Sequence, residues 1–383
     1  MLKILAGADC HLGMKFAGYP NVQDKLAEAR FLSLEQLVDR ANRTGCALLL
    51  IAGDLFDRVS VSAGDVKRAA DILGGFQGRL VAVLPGNHDF YSGNASTLWS
   101  RFTEAAGDRI LLLGEPRFYD LSHYDLAVLL AAGPCDSKHS KSNAISWLPD
   151  AGEQREPAEV HREALRIGVA HGSVEGISPD AQGVYFPMKQ AELDQAPVDF
   201  WVIGHTHRQH PLEIEKFQLS RTSPPPILIP GTPEPDGFDC PHGGTAWLIE
   251  ADEDKQIKVE SLSTGTYRFI RKAYTLESAP QLQRLVKELQ NMEQDRTLLR
   301  LTLGGRLEEE QIFELRRHLA KVEKSFFYAQ IDDSGVLEKI NEKTVEAEFS
   351  EGSFPYRLLK QLIAEKDFEA LQTAYALLQE QKR

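Results

Sequence analysis

Through its first 210 residues the chain repeats one arrangement, a short apolar run followed at once by a small polar cluster. The runs at residues 4–8, 47–52, 80–84, 167–170 and 200–203 are rich in Leu, Ile and Val and have the length of buried strands. The clusters that follow them are Asp9-Cys10-His11, Gly53-Asp54-Leu55-Phe56-Asp57, Gly86-Asn87-His88-Asp89, His171-Gly172 and Gly204-His205-Thr206-His207. Each cluster therefore falls at the carboxyl end of a strand, where open α/β sheets place their ligand crevices.

Beyond these clusters, strands are expected at residues 227–229, 245–249 and 257–262, closing a first domain near residues 264–266. Residues 213–226, charged and then carrying Ser223 and three prolines, read as a surface excursion. Residues 230–244, dense in Pro, Gly and Asp, either line the crevice or form a plain surface turn. Extended runs at 267–276, 297–303 and 326–332 then alternate with helical stretches at 279–294 and 307–322, the β-α-β-α-β order of a small α/β unit. At the end of the chain Ser353 can cap a helix opened by Phe354 and Pro355. Phe368, Leu371, Tyr375 and Leu378 recur at helical spacing, with Leu358, Leu359 and Leu362 making a similar stripe upstream. Such a face packs on its own protein, self-associates, or offers a groove to a partner helix. The expected organisation is a catalytic domain at 1–265, a second domain at 266–345 and a helical tail at 346–383.

Composition adds limits. A chain of 383 residues suffices for two domains, and its charged share of 26% is ordinary for a globular protein. No segment has the apolar length of a membrane span, and residues 1–8 are too short for a signal peptide before the first cluster begins. Cys10, Cys46, Cys135 and Cys240 show no paired spacing and read as buried thiols of a reducing compartment, which points to the cytoplasm. The net charge of −13 opposes the basic face usual in nucleic-acid binders. Bound cations or a partner's groove would change that balance locally.

The residue types in the clusters are those of a metal centre. Aspartate, asparagine and histidine supply hard oxygen and borderline nitrogen donors suited to manganese, iron or zinc. Strand alternation would put Asp9 and His11 on one face with Cys10 in the core. Asp54 offers a carboxylate able to bridge two ions roughly 3.5–4 Å apart, the separation of paired-metal hydrolases. Asn87, His171 and His205 then complete one ion and His207 the other. Two divalent cations bring four positive charges against Asp9 and Asp54, leaving a site suited to an anionic substrate. His88, next to a ligand, is placed as general acid or phosphate stabiliser.

With these motifs the chain resembles the calcineurin-like metallophosphoesterases, and within them the SbcD branch of DNA repair nucleases that includes YhaO-like exonucleases. The resemblance covers residues 1–250 closely and the remainder in general layout. It implies a sandwich of two mixed β-sheets flanked by helices, with a small α/β cap domain and a C-terminal helical tail. By the same resemblance Asp9, His11, Asp54 and His207 hold one metal, Asp54, Asn87, His171 and His205 hold the other, and His88 serves catalysis. The cap is either a DNA-recognition element or an inert lid. Some double-strand-break nucleases of the family carry a histidine implicated in handling duplex DNA where this chain has Asp57, so the resemblance implies metal binding more firmly than duplex cleavage.

The leading expectation is a manganese-dependent phosphodiesterase acting on DNA, an exonuclease subunit of a repair complex. A small-molecule or cyclic-nucleotide phosphodiesterase and a catalytically silent protein-binding scaffold are the alternatives. Buried Asp and His at five strand ends would be costly without partners, which opposes a purely structural role. For Asp57 and Asp89, capping or support of a histidine stands beside direct ligation. His210 and His242 are read as surface residues. The chain carries no Gly-rich phosphate loop with its lysine, so any ATP hydrolysis belongs to another polypeptide. The resemblance implies a coiled-coil ATPase there; a homodimer is open, and no membrane is involved.

Overall fold

The computed structural model describes residues 1–93, 97–148, 164–212, 216–219, 224–240 and 242–381. They form two compact units, Met1–Ile270 with Arg296–Leu298, and Arg271–Asp295 with Leu299–Arg383. The first unit runs β1 (Leu2–Gly7), α1 (Gln23–Thr44), β2 (Leu48–Ala52), α2 (Ala63–Gly74), β3 (Leu80–Leu84), α3 (Thr97–Ala106), β4 (Ile110–Leu112), β5 (Phe118–Asp120), β6 (Val128–Gly133) and β7 (Leu165–His171). It continues with α4 (Gln190–Asp194), β8 (Phe200–Gly204), β9 (Lys216–Leu219), β10 (Ile227–Leu228), β11 (Thr245–Ala251) and β12 (Ile257–Ser263).

These strands make two sheets, one ordered β4-β3-β2-β1-β11-β12-β9 and the other β10-β8-β7-β6-β5. Both are mixed. In the first, β1 to β4 run parallel through helical crossovers, while β11, β12 and β9 continue antiparallel. In the second, β6, β7, β8 and β10 are parallel and β5 is antiparallel.

Covered on both faces, the central strands read as unbroken apolar runs, and their period of two sorts the side chains. Ile4, Ala6, Leu48, Leu50 and Leu80 share one buried cluster with Leu130, Ile167, Val169 and Phe200 of the other sheet. Leu5, Leu49, Ile51 and Val83 instead join Leu34 and Leu37 of α1, Leu73 of α2 and Phe102 of α3. Leu129, Ala131, Trp201 and Ile203 cover the outer face of the second sheet with Ile145 and Leu193. The result is the expected sandwich of two mixed sheets flanked by helices.

The five apolar runs are β1, β2, β3, β7 and β8. No ligand cluster follows Val128–Gly133, so the pattern of run plus cluster passed over β6, a central strand of the second sheet. The supposed excursion at 213–226 needs correction, because β9 within it pairs with β12. Residues 213–215 and 220–223 of that stretch lie outside the described residues.

Residues 268–338 keep the alternation read from sequence: β13 (Arg268–Leu276), α5 (Ala279–Gln290), β14 (Thr297–Leu307), α6 (Glu309–Ser325) and β15 (Tyr328–Glu338), with β14 central in a three-stranded sheet. One face of each helix is buried, Leu282, Leu285 and Leu289 on α5 and Leu315 and Leu319 on α6. The tail folds as α7 (Glu342–Glu348), α8 (Phe354–Glu365) and α9 (Phe368–Gln381). Ser353 caps α8 by accepting from the Tyr356 amide. Leu359 and Leu371 are buried with Ile340, Val345 and Phe349, and Leu362, Tyr375 and Leu378 pack against them. The apolar stripe is therefore largely satisfied within the chain, although Phe368 remains 54% exposed. No helix among the described residues is long and apolar enough to cross a membrane.

Candidate metal centre

Every cluster singled out in the sequence lies at the carboxyl end of a parallel strand of one of the two sheets, and the backbone there leaves regular geometry. Asp9, His11, Asp54 and His205 all have positive φ, at 56°, 46°, 50° and 94°. Left-handed backbone is uncommon outside glycine and concentrates at functional sites. It also corrects the strand-alternation argument, since β1 ends at Gly7. What carries Asp9 and His11 is a turn whose amides bond to Gly53 O at 3.0 Å and Asp54 O at 2.9 Å. Cys10 between them is buried, as expected.

Close approach explains two of the glycines. A Cβ on Gly53, at φ +95°, would sit 1.9 Å from His171 Nδ1, and one on Gly86 would sit 2.2 Å from Asp54 Oδ1. Asp89 ties these loops together, accepting from the Phe56 amide at 2.9 Å and the Gly86 amide at 2.7 Å. Supporting two ligand loops, rather than ligation, is what its carboxylate does in this geometry.

All seven metal candidates converge. Donor atoms of Asp9, His11 and His207 lie within 4.8 Å of one another, as do those of Asp9, Asp54 and His171. Asp54 Oδ2 lies 3.7 Å from His11 Nε2 and 3.2 Å from His171 Nε2, so one carboxylate oxygen faces both sides of the centre. Asn87 Oδ1 is 3.1 Å from both His171 Nε2 and His205 Nδ1. Backbone carbonyls and carboxylates set the tautomers. His171 Nδ1 donates to Ala52 O at 3.0 Å and His207 Nδ1 to Asp236 at 2.7 Å, leaving the Nε2 atoms directed inward.

His207 Nε2 then meets His11 Nε2 at 3.1 Å. With Nδ1 of His207 committed as a donor, two imidazole lone pairs face each other unless a proton or a cation lies between them. His11 Nδ1, also buried, has no hydrogen-bond partner among the described residues. This donor set fits a pair of divalent cations.

The electrostatics agree. Burial opposes the charged form of Asp54, but His171 and His11 hold its carboxyl well below the usual range. Burial also opposes charge on His171 and His207, yet Asp54 lifts the first to about 9 and Asp236 lifts the second to about 9. Burial raises Asp9 to about 6 and lowers His205 to about 3. His171 and His207 would have to release those protons to a bound cation, whose affinity for the site therefore rises with pH.

His88 stands at the rim of this set. Its amide donates to Asp54 Oδ1 at 2.8 Å, and its Nδ1 donates to Asp57 O at 3.0 Å, which leaves Nε2 for proton exchange. Its ring meets that of His11 edge-on, with centroids 4.8 Å apart. Asp57 pairs with Arg58 and has one carboxylate oxygen 4.0 Å from His11 Nδ1, which joins it to His11 and His88 as a third donor group.

The sequence left the loop after β10 open between crevice lining and a surface turn, and did not single out Thr232 or Asp236. Thr232 Oγ1 donates to Asp9 O at 2.9 Å, Asp236 meets His207, and His242 Nε2 donates to His207 O at 2.6 Å. Thr232, Asp236 and His242 thus line the crevice, and His242 supports a candidate ligand's backbone instead of lying free on the surface. Arg30 was also missed, although a charged residue among Leu26, Ala29 and Leu34 on the buried side of α1 was a readable signal.

Comparison with known proteins agrees with the geometry. The family model of calcineurin-like phosphoesterases matches residues 2–209, over half of the chain. The metallophosphoesterase YhaO of Bacillus subtilis, itself uncharacterized, is 24% identical over 247 residues, covering 60% of this chain and 52% of that protein. The DNA double-strand break repair protein Mre11 of Aeropyrum pernix is 35% identical over 102 residues, covering 26% of this chain and 24% of that protein. The chain thus spans about half the length of the first relative and about a quarter of the second. Among solved structures, TT1561 of Thermus thermophilus covers 69% of this chain and 99% of its own, at 12% identity and a TM-score of 0.42. The chain belongs to the calcineurin-like phosphoesterase family, whose members hydrolyse phosphoesters at a dinuclear metal site.

Proposed function

We propose that this chain hydrolyses DNA phosphodiester bonds as the exonuclease subunit of a repair complex, with manganese as its preferred cation. The observation that carries the reading is Asp54, whose Oδ2 faces His11 on one side and His171 on the other. Asp9, His11, Asp54 and His207 would hold one cation, and Asp54, Asn87, His171 and His205 the second. Bound cations supply Lewis-acid stabilisation of phosphate oxygens and ease deprotonation of the attacking water. His88, with Nδ1 fixed on Asp57 O, presents Nε2 to protonate the leaving oxygen or to hold a phosphate oxygen. The name of the Mre11 relative supports DNA as the substrate class. In this reading residues 1–265 are the nuclease domain, 266–345 a cap and 346–383 a tail, working in the cytoplasm with a coiled-coil ATPase.

The test is the purified chain with manganese, offered an end-labelled oligonucleotide, a cyclic nucleotide and a chromogenic diester. Stepwise release of nucleotides from the oligonucleotide supports the reading. Turnover confined to the cyclic nucleotide or the chromogenic diester replaces it with a small-molecule phosphodiesterase.

A further inference from the structure

Three of the histidines in the centre differ in what holds them. His171 Nδ1 is held by the backbone carbonyl of Ala52, which no substitution removes. His205 has its Nδ1 against Asn87, itself a candidate ligand. His207 alone of the three takes a side chain from outside the donor set, with Asp236 Oδ2 2.7 Å from its Nδ1.

Asp236 in turn sits over a buried cation. The fully buried Arg30 brings NH2 to 3.9 Å from Asp236 Oδ2 and donates from NH1 to Cys10 O at 2.8 Å, inside the Asp9–His11 turn. Arg30 Nε and NH2 have no hydrogen-bond partner among the described residues, and Asp236 is the carboxylate shown within ion-pair distance of this buried charge. Thr232, in the same loop, has its hydroxyl oxygen 2.9 Å from Asp9 O and 2.7 Å from Glu234 O, its one proton shared between the two carbonyls. The loop is thereby fastened to the backbone of one candidate ligand while its carboxylate orients another.

We propose that Asp236 is the positioning residue for His207, and that Arg30 anchors it so that one of the two cation positions depends on this outer pair while the other does not. The inference rests on the reading of His207 as a ligand. A carboxylate on the far nitrogen of a ligating imidazole fixes the tautomer and raises its basicity, and its loss typically weakens metal binding roughly 10–100-fold.

Calorimetric titration of the full chain with manganese is expected to find two sites in the wild type. Asp236→Ala should keep one of them unchanged and weaken the other roughly 10–100-fold. Asp236→Asn, which retains an oxygen acceptor for the Nδ1 proton, should recover most of that loss. NMR of the zinc-loaded chain gives a second readout independent of activity: a His207 Nδ1 proton slow to exchange with solvent in the wild type and in Asp236→Asn, and fast to exchange in Asp236→Ala. Equal affinity of both sites in Asp236→Ala with an unchanged exchange rate of the His207 Nδ1 proton overturns the inference while leaving the two-cation reading intact, and so does equal loss at both sites. A wild type that binds fewer than two ions defeats the two-cation reading itself, and the inference with it.

Discussion

The two compact units treat polar side chains in opposite ways. The first buries Asp9, His11, Arg30, Asp54, Asn87, Asp89, His171, Asp199 and Glu234, while no described buried side chain of the second is polar or charged. The second instead leaves Phe313, Phe354 and Phe368 exposed. Buried carboxylates and imidazoles cost several kcal/mol each unless paired, whereas buried leucines stabilise a fold directly. The difference teaches that the first unit's interior is organised around charge compensation and the second's around ordinary packing.

Removing the shared carboxylate breaks the comparison most severely. Asp54→Asn should abolish hydrolysis, and elemental analysis should find fewer than two ions per chain. Two bound ions with full turnover in that variant would remove Asp54 from its bridging place.

The second unit should respond to charge in the reverse sense. Leu371 is 2% exposed and Leu378 packs beside it, so the double change Leu371→Glu, Leu378→Glu should cost on the order of 3–5 kcal/mol and melt the tail. Hydrogen exchange would show protection lost across α8 and α9 with manganese binding unaltered. Unchanged melting, with loss of a co-purifying partner, would instead make this stripe a docking face.

A smaller effect separates ligation from proton transfer within the first unit. His88→Ala should retain both ions while turnover falls by about a hundredfold, the scale of losing a general acid or base. Loss of an ion, with activity restored by added manganese, would make His88 a ligand.

The smallest effect concerns Glu234. Burial lifts this carboxyl from 4.5 to about 7, against hydrogen bonds from the Thr266 and Tyr267 amides that favour its charged form. Between those values the folded chain holds a proton that the unfolded chain has lost, so its contribution to stability falls as pH rises from 4.5 to about 7. Melting curves across that window should therefore diverge, Glu234→Gln gaining on the wild type by on the order of 1–3 kcal/mol at the upper end. Parallel curves would contradict the burial cost.

Much of this architecture was legible because its signals are local. Apolar runs that end in Asp, Asn or His mark β1, β2, β3, β7 and β8 without reference to the rest of the chain, and alternating periods mark the elements of the second unit. The helical spacing of Leu371, Tyr375 and Leu378 likewise showed that they share a face, but not whether that face is covered.

What the sequence by itself determined is thus the identity of the donors, their places at strand ends and the class of chemistry they suit, since residue type and period are written in neighbouring positions. Tertiary structure alone decided the left-handed turns at Asp9, His11 and Asp54, the edge pairing of β9, and the meeting of Arg30 with Asp236 behind His207. Those outcomes depend on which distant backbone supplies a hydrogen bond and which distant charge offsets a buried one, and no local period encodes either.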